Sequence, residues 1–114
     1  MDWYDLLAPD LRAAAYKANN ELAWARHDAL RVVSILERHS YDVIGVDVWL
    51  PTEPGPTIPT PYVYDWAKSD ASSDRVAKSA AGFIASFEWD PNDAAYYSAE
   101  PFFNILAVQR NPSP

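Results

Sequence analysis

Residues 43–50, Val-Ile-Gly-Val-Asp-Val-Trp-Leu, constrain this chain more than any other stretch, because apolar side chains recur there at every second position. A period of two belongs to a β-strand with one buried face. It puts Ile44, Val46, Val48 and Leu50 on one side and Gly45, Asp47 and Trp49 on the other. The next segment is restrictive in a different way: residues 51–61 hold five prolines and a glycine. Proline removes an amide donor and fixes φ, so this stretch is expected to be a stiff loop that cannot join the middle of a sheet. Residues 62–66, Tyr-Val-Tyr-Asp-Trp, are aromatic and β-branched and read as the return strand of a hairpin whose long turn is the proline loop.

Helical patterns flank this hairpin. Residues 10–18 are good helix formers behind Pro9, which suits a first helical turn, and Asn19-Asn20 is the expected stop. A second helix is expected over 26–38, where Ala29, Val32, Val33 and Leu36 form one stripe, with Asp28 near its start and Arg38-His39 at its end. A third is expected over 73–88, with Val76, Ala80, Phe83, Ile84 and Phe87 on one face, Ser72 or Ser73 as cap and Asp90-Pro91 as stop. Gly82 inside it weakens the helix by about 1 kcal/mol relative to alanine, which points to close packing on the sheet there. Residues 102–108 are almost continuously apolar, as in a strand covered on both faces. The order helix, helix, strand, strand, helix, strand predicts a small α+β domain. Its helices pack on one side of a mainly antiparallel sheet of three strands or slightly more.

At 114 residues the chain is long enough for one domain with its own core, expected over 1–110, with 111–114 as a fraying tail. Sixteen acidic against nine basic side chains give a net charge of -7, which repels phosphate backbones and anionic headgroups. Nucleic acid and membrane are therefore not the expected partners. The imbalance is uneven, with -1 over residues 1–40 and -6 over residues 41–114. There is no cysteine, hence no disulfide, thiolate nucleophile or thiolate metal site. The first residues lack a basic leader region and no apolar run approaches the roughly 18 residues of a membrane span, so the expected location is cytoplasmic.

No motif for catalysis stands out. His27 and His39 are twelve positions apart and suit a helix's first turn and its end rather than a shared site. The three glycines, Gly45, Gly55 and Gly82, are too scattered to cradle a phosphate. The run Glu88-Trp-Asp-Pro-Asn-Asp93 lacks the glycine and distal glutamate of a calcium loop and reads as a solvated loop. No cofactor or metal is implied. What remains is a surface of acids and aromatics. With the aliphatic face of 43–50 buried and Asp65 outside the core, the hairpin would present Asp47, Trp49 and Asp65 outward. The other register would turn Tyr62, Tyr64 and Trp66 outward. Aromatic anchors amid negative charge suit capture of a basic protein surface. The plainer reading is that Trp49 covers a sheet edge and the acids confer solubility.

Several short segments resemble a known family. Asn20-Glu-Leu-Ala-Trp24 with Asp28-Ala-Leu30, Ile44-Gly-Val-Asp-Val-Trp49, Tyr64-Asp-Trp66 and Ser79-Ala-Ala-Gly-Phe-Ile84 resemble, in order and spacing, the immunity protein 40 family of bacterial polymorphic-toxin systems. Val46 stands where that family usually has a second glycine. The resemblance implies a cognate antidote that binds a toxin or effector protein and blocks it without catalysis. The candidate toxin-binding residues are then Asp47, Trp49, Glu53, Tyr64, Asp65, Asp70, Glu88 and Asp90. Glu21, Trp24, Gly45 and Trp66, although within the same segments, are better read as structural. Two other classes fit the composition: a small hydrolase pairing Asp47 with Asp65 for acid-base work, and an adaptor domain of a secretion apparatus. The oligomeric state is left open by the sequence.

Overall fold

A computed structural model describes residues 3–18, 20–50, 58–65, 73–92 and 100–109; over 58–65 and 73–79 it describes the backbone course. A 3-10 turn, Trp3–Leu6, leads into a short helix α1, Pro9–Ala14, and a hairpin of β1, Tyr16–Ala18, and β2, Glu21–Ala25. The long helix α2, Arg26–Arg38, follows without a loop, then β3, Tyr41–Leu50, β4, Ile58–Asp65, α3, Ser73–Ser86, and β5, Phe102–Gln109. Each strand pairs antiparallel with its neighbours in a five-stranded sheet of order β1-β2-β5-β3-β4. The α+β class is as the sequence suggests. The sheet is larger than three strands, because residues 16–25 add a hairpin where only a helix and its stop were expected.

One core joins the helices to one sheet face. Ala29, Val32, Val33 and Leu36 of α2 and Ala80 and Ile84 of α3 bury against Leu22, Trp24, Val43, Val46, Val48, Phe103 and Ile105, with Trp3, Leu7 and Leu11 closing one side. The α2 stripe is the one its spacing predicts, since positions three and four apart stack on one side of a helix. Arg26 ties the two long helices together: its guanidinium donates to the carbonyls of Ile84 (3.1 Å) and Ala85 (2.9 Å) at the end of α3. Those carbonyls lie in the last turn, where intrahelical donors run out. At the other end, the indole Nε1 of Trp24 donates to the carbonyl of Leu11 at 2.9 Å, fixing α1 to the sheet. Trp3 and Tyr4 lie beside that indole with ring centroids at 6.0 and 6.1 Å. Trp24 is thus a core residue, as its structural reading expects.

Several expectations change in physical detail. The first helix ends at Ala14, and Tyr16–Ala18 instead pairs with Glu21–Ala25. Asn20, with φ of 67°, occupies the left-handed region in the two-residue connection between them, a conformation asparagine tolerates well. The helix propensity of the alanines at 13–15 yields to the burial of Leu22 and Trp24 that the hairpin makes possible. Alternation in β3 is broken by a bulge: Val43 pairs with Ala107 and Gly45 with Leu106, leaving Ile44 as the extra residue. Val43, Val46 and Val48 therefore share the core face, while Ile44 is only half-buried. β4 begins at Ile58, inside the proline-rich stretch, and its register with β3 shifts between Asp47 and Trp49, where Pro59 stands opposite Trp49. β4 is an edge strand, and an edge has one side without ladder bonds, so proline is tolerated there. α3 ends two residues earlier than expected. Gly82 is exposed, and a Cβ built on it meets nothing within 4 Å, so close packing is not the reason for this glycine. The loop 51–57, Trp66, the cap Ser72 and the tail 111–114 lie outside the described residues.

Candidate functional site

The predicted site residues fall at different places. Asp47 is exposed on the sheet face opposite the helices, beside Asn104 of β5 and across from position 63 of β4. Strands on both sides remove enough water from its carboxyl to raise its pKa above the ordinary aspartate value. Asn104 is buried, and its side-chain amide donates to the carbonyl of Leu22 at 2.9 Å, so the polar group under that face is satisfied. In β4 the register sets Asp65 opposite Gly45 and Tyr64 opposite Val46. Glu53 and Asp70 lie outside the described residues.

Trp49 corrects an expectation. It is only 8% exposed, so it is no outward-facing anchor. It pairs with Phe102, whose ring meets Tyr16 edge-on at 6.0 Å, and Ala23 and Asn104 on the same face are buried as well. Among the described residues this face is closed around Trp49, while Asp47 and, further along β5, Leu106 and Val108 are exposed on it.

Glu88 and Asp90 are exposed on the segment that leaves α3. That segment is firmly held. Phe87 buries its ring edge-on against Phe103 at 5.7 Å and against Trp89 at 5.1 Å. A carboxylate oxygen of Asp90 accepts the amide of Asn92 at 2.8 Å across Pro91, a local turn of the kind aspartate favours. Arg26, Phe87, Glu88, Trp89, Pro91 and Pro101 line an open concavity of about 440 Å³. Its floor is aromatic and proline-rich, and its acids are Glu88 in the lining and Asp90 next to it. Sequence reading reached the two acids but missed Trp89, Arg26 and Pro101. The signal present in sequence was Trp89 itself, an aromatic between two acids.

Topology relates this concavity to Asp47. Pro101 precedes Phe102, the residue that pairs with both Ala25, just before Arg26, and Trp49, two residues beyond Asp47. Glu88 and Asp90 thus lie on the helix side of the sheet end toward which Asp47 lies on the opposite face. No family model, curated protein or solved structure matches this chain. Among the described residues, no three histidine or carboxylate side chains are grouped to hold a metal ion. No helix among them is long and apolar enough to cross a membrane. The arrangement suits recognition of a cation: the stem of an arginine or lysine can lie on Trp89 and Pro91 while its charged head meets Glu88 and Asp90.

Proposed function

We propose that this chain is an immunity protein, which binds a cognate bacterial toxin or effector domain and blocks it through a non-catalytic interface in the cytoplasm of the producing cell. The observation that carries this reading is the held concavity around Trp89, flanked by Glu88 and Asp90. A rigid aromatic anchor with surrounding carboxylates loses little entropy on binding, and its field speeds encounter with a basic surface. The net charge of -7 acts in the same sense. The order of motifs resembling the immunity protein 40 family supplies the partner class. The basic cleft of a nuclease toxin is one surface such an acidic end would fit.

The test is co-expression with the toxin domain encoded beside this gene, followed by direct titration of one purified protein into the other. Suppression of lethality and a stable complex are expected. The double variant Glu88→Lys, Asp90→Lys is expected to bind at least about tenfold more weakly while keeping its near-ultraviolet circular dichroism. Full affinity in that variant would reject this end of the molecule as the contact. A toxin left active by the wild-type chain would reject the function.

A further inference from the structure

Toward the opposite end of β2, cations rather than acids line a cavity. Arg12, Lys17, Asn20, Tyr4 and Leu22 line a second open concavity of about 270 Å³. We propose that this cavity binds a phosphate-bearing small anion, either free phosphate or a compact phosphate ester. This is a site distinct from the acidic end and independent of its assignment.

Three observations converge on it. First, among the described residues no carboxylate lines the cavity and neither Arg12 nor Lys17 takes part in an ion pair, although the chain carries sixteen acids. The ion pairs seen among the described residues engage Arg31 instead, with Asp10 and Asp28. Two cations that line one cavity in a protein of net charge -7, with no ion-pair partner among the described residues, leave room for an anion to meet both. Second, the donors match a group with several oxygens. Arg12 offers a planar fork, Lys17 a mobile ammonium and Asn20 a side-chain amide, donor types that suit the several oxygens of a tetrahedral anion. Third, the wall is built. The Tyr4 hydroxyl accepts the amide of Leu22 at 3.0 Å, Asn20 is held at φ of 67° by the hairpin, and Trp24 anchors α1 through Leu11, one residue before Arg12. Tyr4 and Leu22 add an aromatic and an aliphatic surface beside the cations, which suits an organic ester more than the bare ion.

Each cation also has an ordinary role: Arg12 complements the end of α1, and Lys17 protects the edge strand β1. Neither role requires the two to share a cavity with an asparagine.

The experiment is a titration of the full chain, ¹⁵N-labelled, with inorganic phosphate and separately with phenyl phosphate, at constant ionic strength against sodium chloride. Saturating shifts confined to the amides around Arg12, Lys17, Asn20 and Leu22 are expected, with millimolar affinity for phosphate. Tighter binding of phenyl phosphate assigns the site to esters, and equal binding assigns it to the free anion. Arg12→Gln and Lys17→Gln are each expected to weaken binding about five- to tenfold, and added salt should weaken it further. Lys17 is exposed on an edge strand, so its variant tests the site even where Arg12→Gln perturbs α1. Shifts that never saturate, that chloride reproduces, or that persist unchanged in Lys17→Gln would overturn the proposal.

Discussion

Replacing Trp24 by phenylalanine isolates what holds the amino-terminal helix to the sheet. The Trp24 side chain is fully buried, and its Nε1 donates to the Leu11 carbonyl. In a longer helix that carbonyl would accept the amide of Ala15, but the chain turns extended at Ala15, whose amide instead points to Arg12 at 3.4 Å. Trp24 therefore serves as the partner of a carbonyl at a helix end. Phenylalanine keeps an aromatic ring beside Trp3 and Tyr4 but removes the donor and the second ring. Leaving a buried carbonyl unpaired costs about 1–3 kcal/mol. Lost packing and incomplete collapse add about 1–2 kcal/mol. The expected destabilisation is about 2–5 kcal/mol, a large part of the roughly 5–15 kcal/mol that holds a domain of this kind together. Urea unfolding followed by far-ultraviolet circular dichroism should show a lower midpoint at unchanged slope. A β-(3-benzothienyl)alanine at position 24, which exchanges the N–H for sulfur at nearly constant shape, should account for the hydrogen-bond share. A loss below about 1 kcal/mol in Trp24→Phe would refute the reasoning, because the carbonyl would then have another partner.

Further outcomes follow from single residues. Gly82→Ala should stabilise the protein by about 0.5–1 kcal/mol, since the new methyl meets open space and the helix gains propensity; thermal unfolding that shifts downward would show a hidden contact. Arg26→Met removes both donors to the end of α3 and should lower stability by about 1–3 kcal/mol, with faster amide exchange in the last turn of α3 as the local readout. Asp47 has a pKa raised by desolvation, so its ionised form is disfavoured in the fold. The penalty is absent below the unfolded pKa, where both states are protonated, and builds as pH rises through the folded pKa. Asp47→Asn should thus raise stability near neutral pH by no more than about 0.5 kcal/mol, because solvent still reaches the carboxyl, and the gain should vanish in acid. A gain independent of pH would mean that something other than desolvation acts there.

How much of this was legible in the sequence depends on how far each element is governed by its own pattern. The bounds of α2 follow directly from Ala29, Val32, Val33 and Leu36, because a stripe of that length fits only one helix. The existence of β5 is equally direct, since seven nearly continuous apolar residues leave few options, but its expected cover on both faces is not found, because Leu106 and Val108 are exposed. The β1–β2 hairpin was not legible, because three and five residues are too short for a period to emerge and the neighbouring alanines favour helix locally. Its decisive interactions are tertiary: the Trp24 indole on Leu11 and the Asn104 amide on the Leu22 carbonyl, 82 positions apart. Asn19-Asn20, read as a helix stop, carried the hairpin signal. The bulge at Ile44 and the burial of Trp49 depend on what lies across the sheet, which no alternation within β3 records. Of the candidate site, the acids Asp47, Glu88 and Asp90 were found from charge, whereas their common end and Trp89 emerged only from the path of β5 between β2 and β3. The cationic cavity was hidden for the same reason: Tyr4, Arg12 and Lys17 belong to three different elements.

The most direct measurement of the central claim is calorimetric titration of the neighbouring toxin domain into this protein over a series of salt concentrations. The wild-type chain should form a complex whose affinity falls steadily as salt rises. The triple variant Asp47→Asn, Glu88→Gln, Asp90→Asn should bind more than about tenfold more weakly with a flatter dependence. Wild-type affinity and slope in the folded triple variant, or no complex at all, would contradict the account.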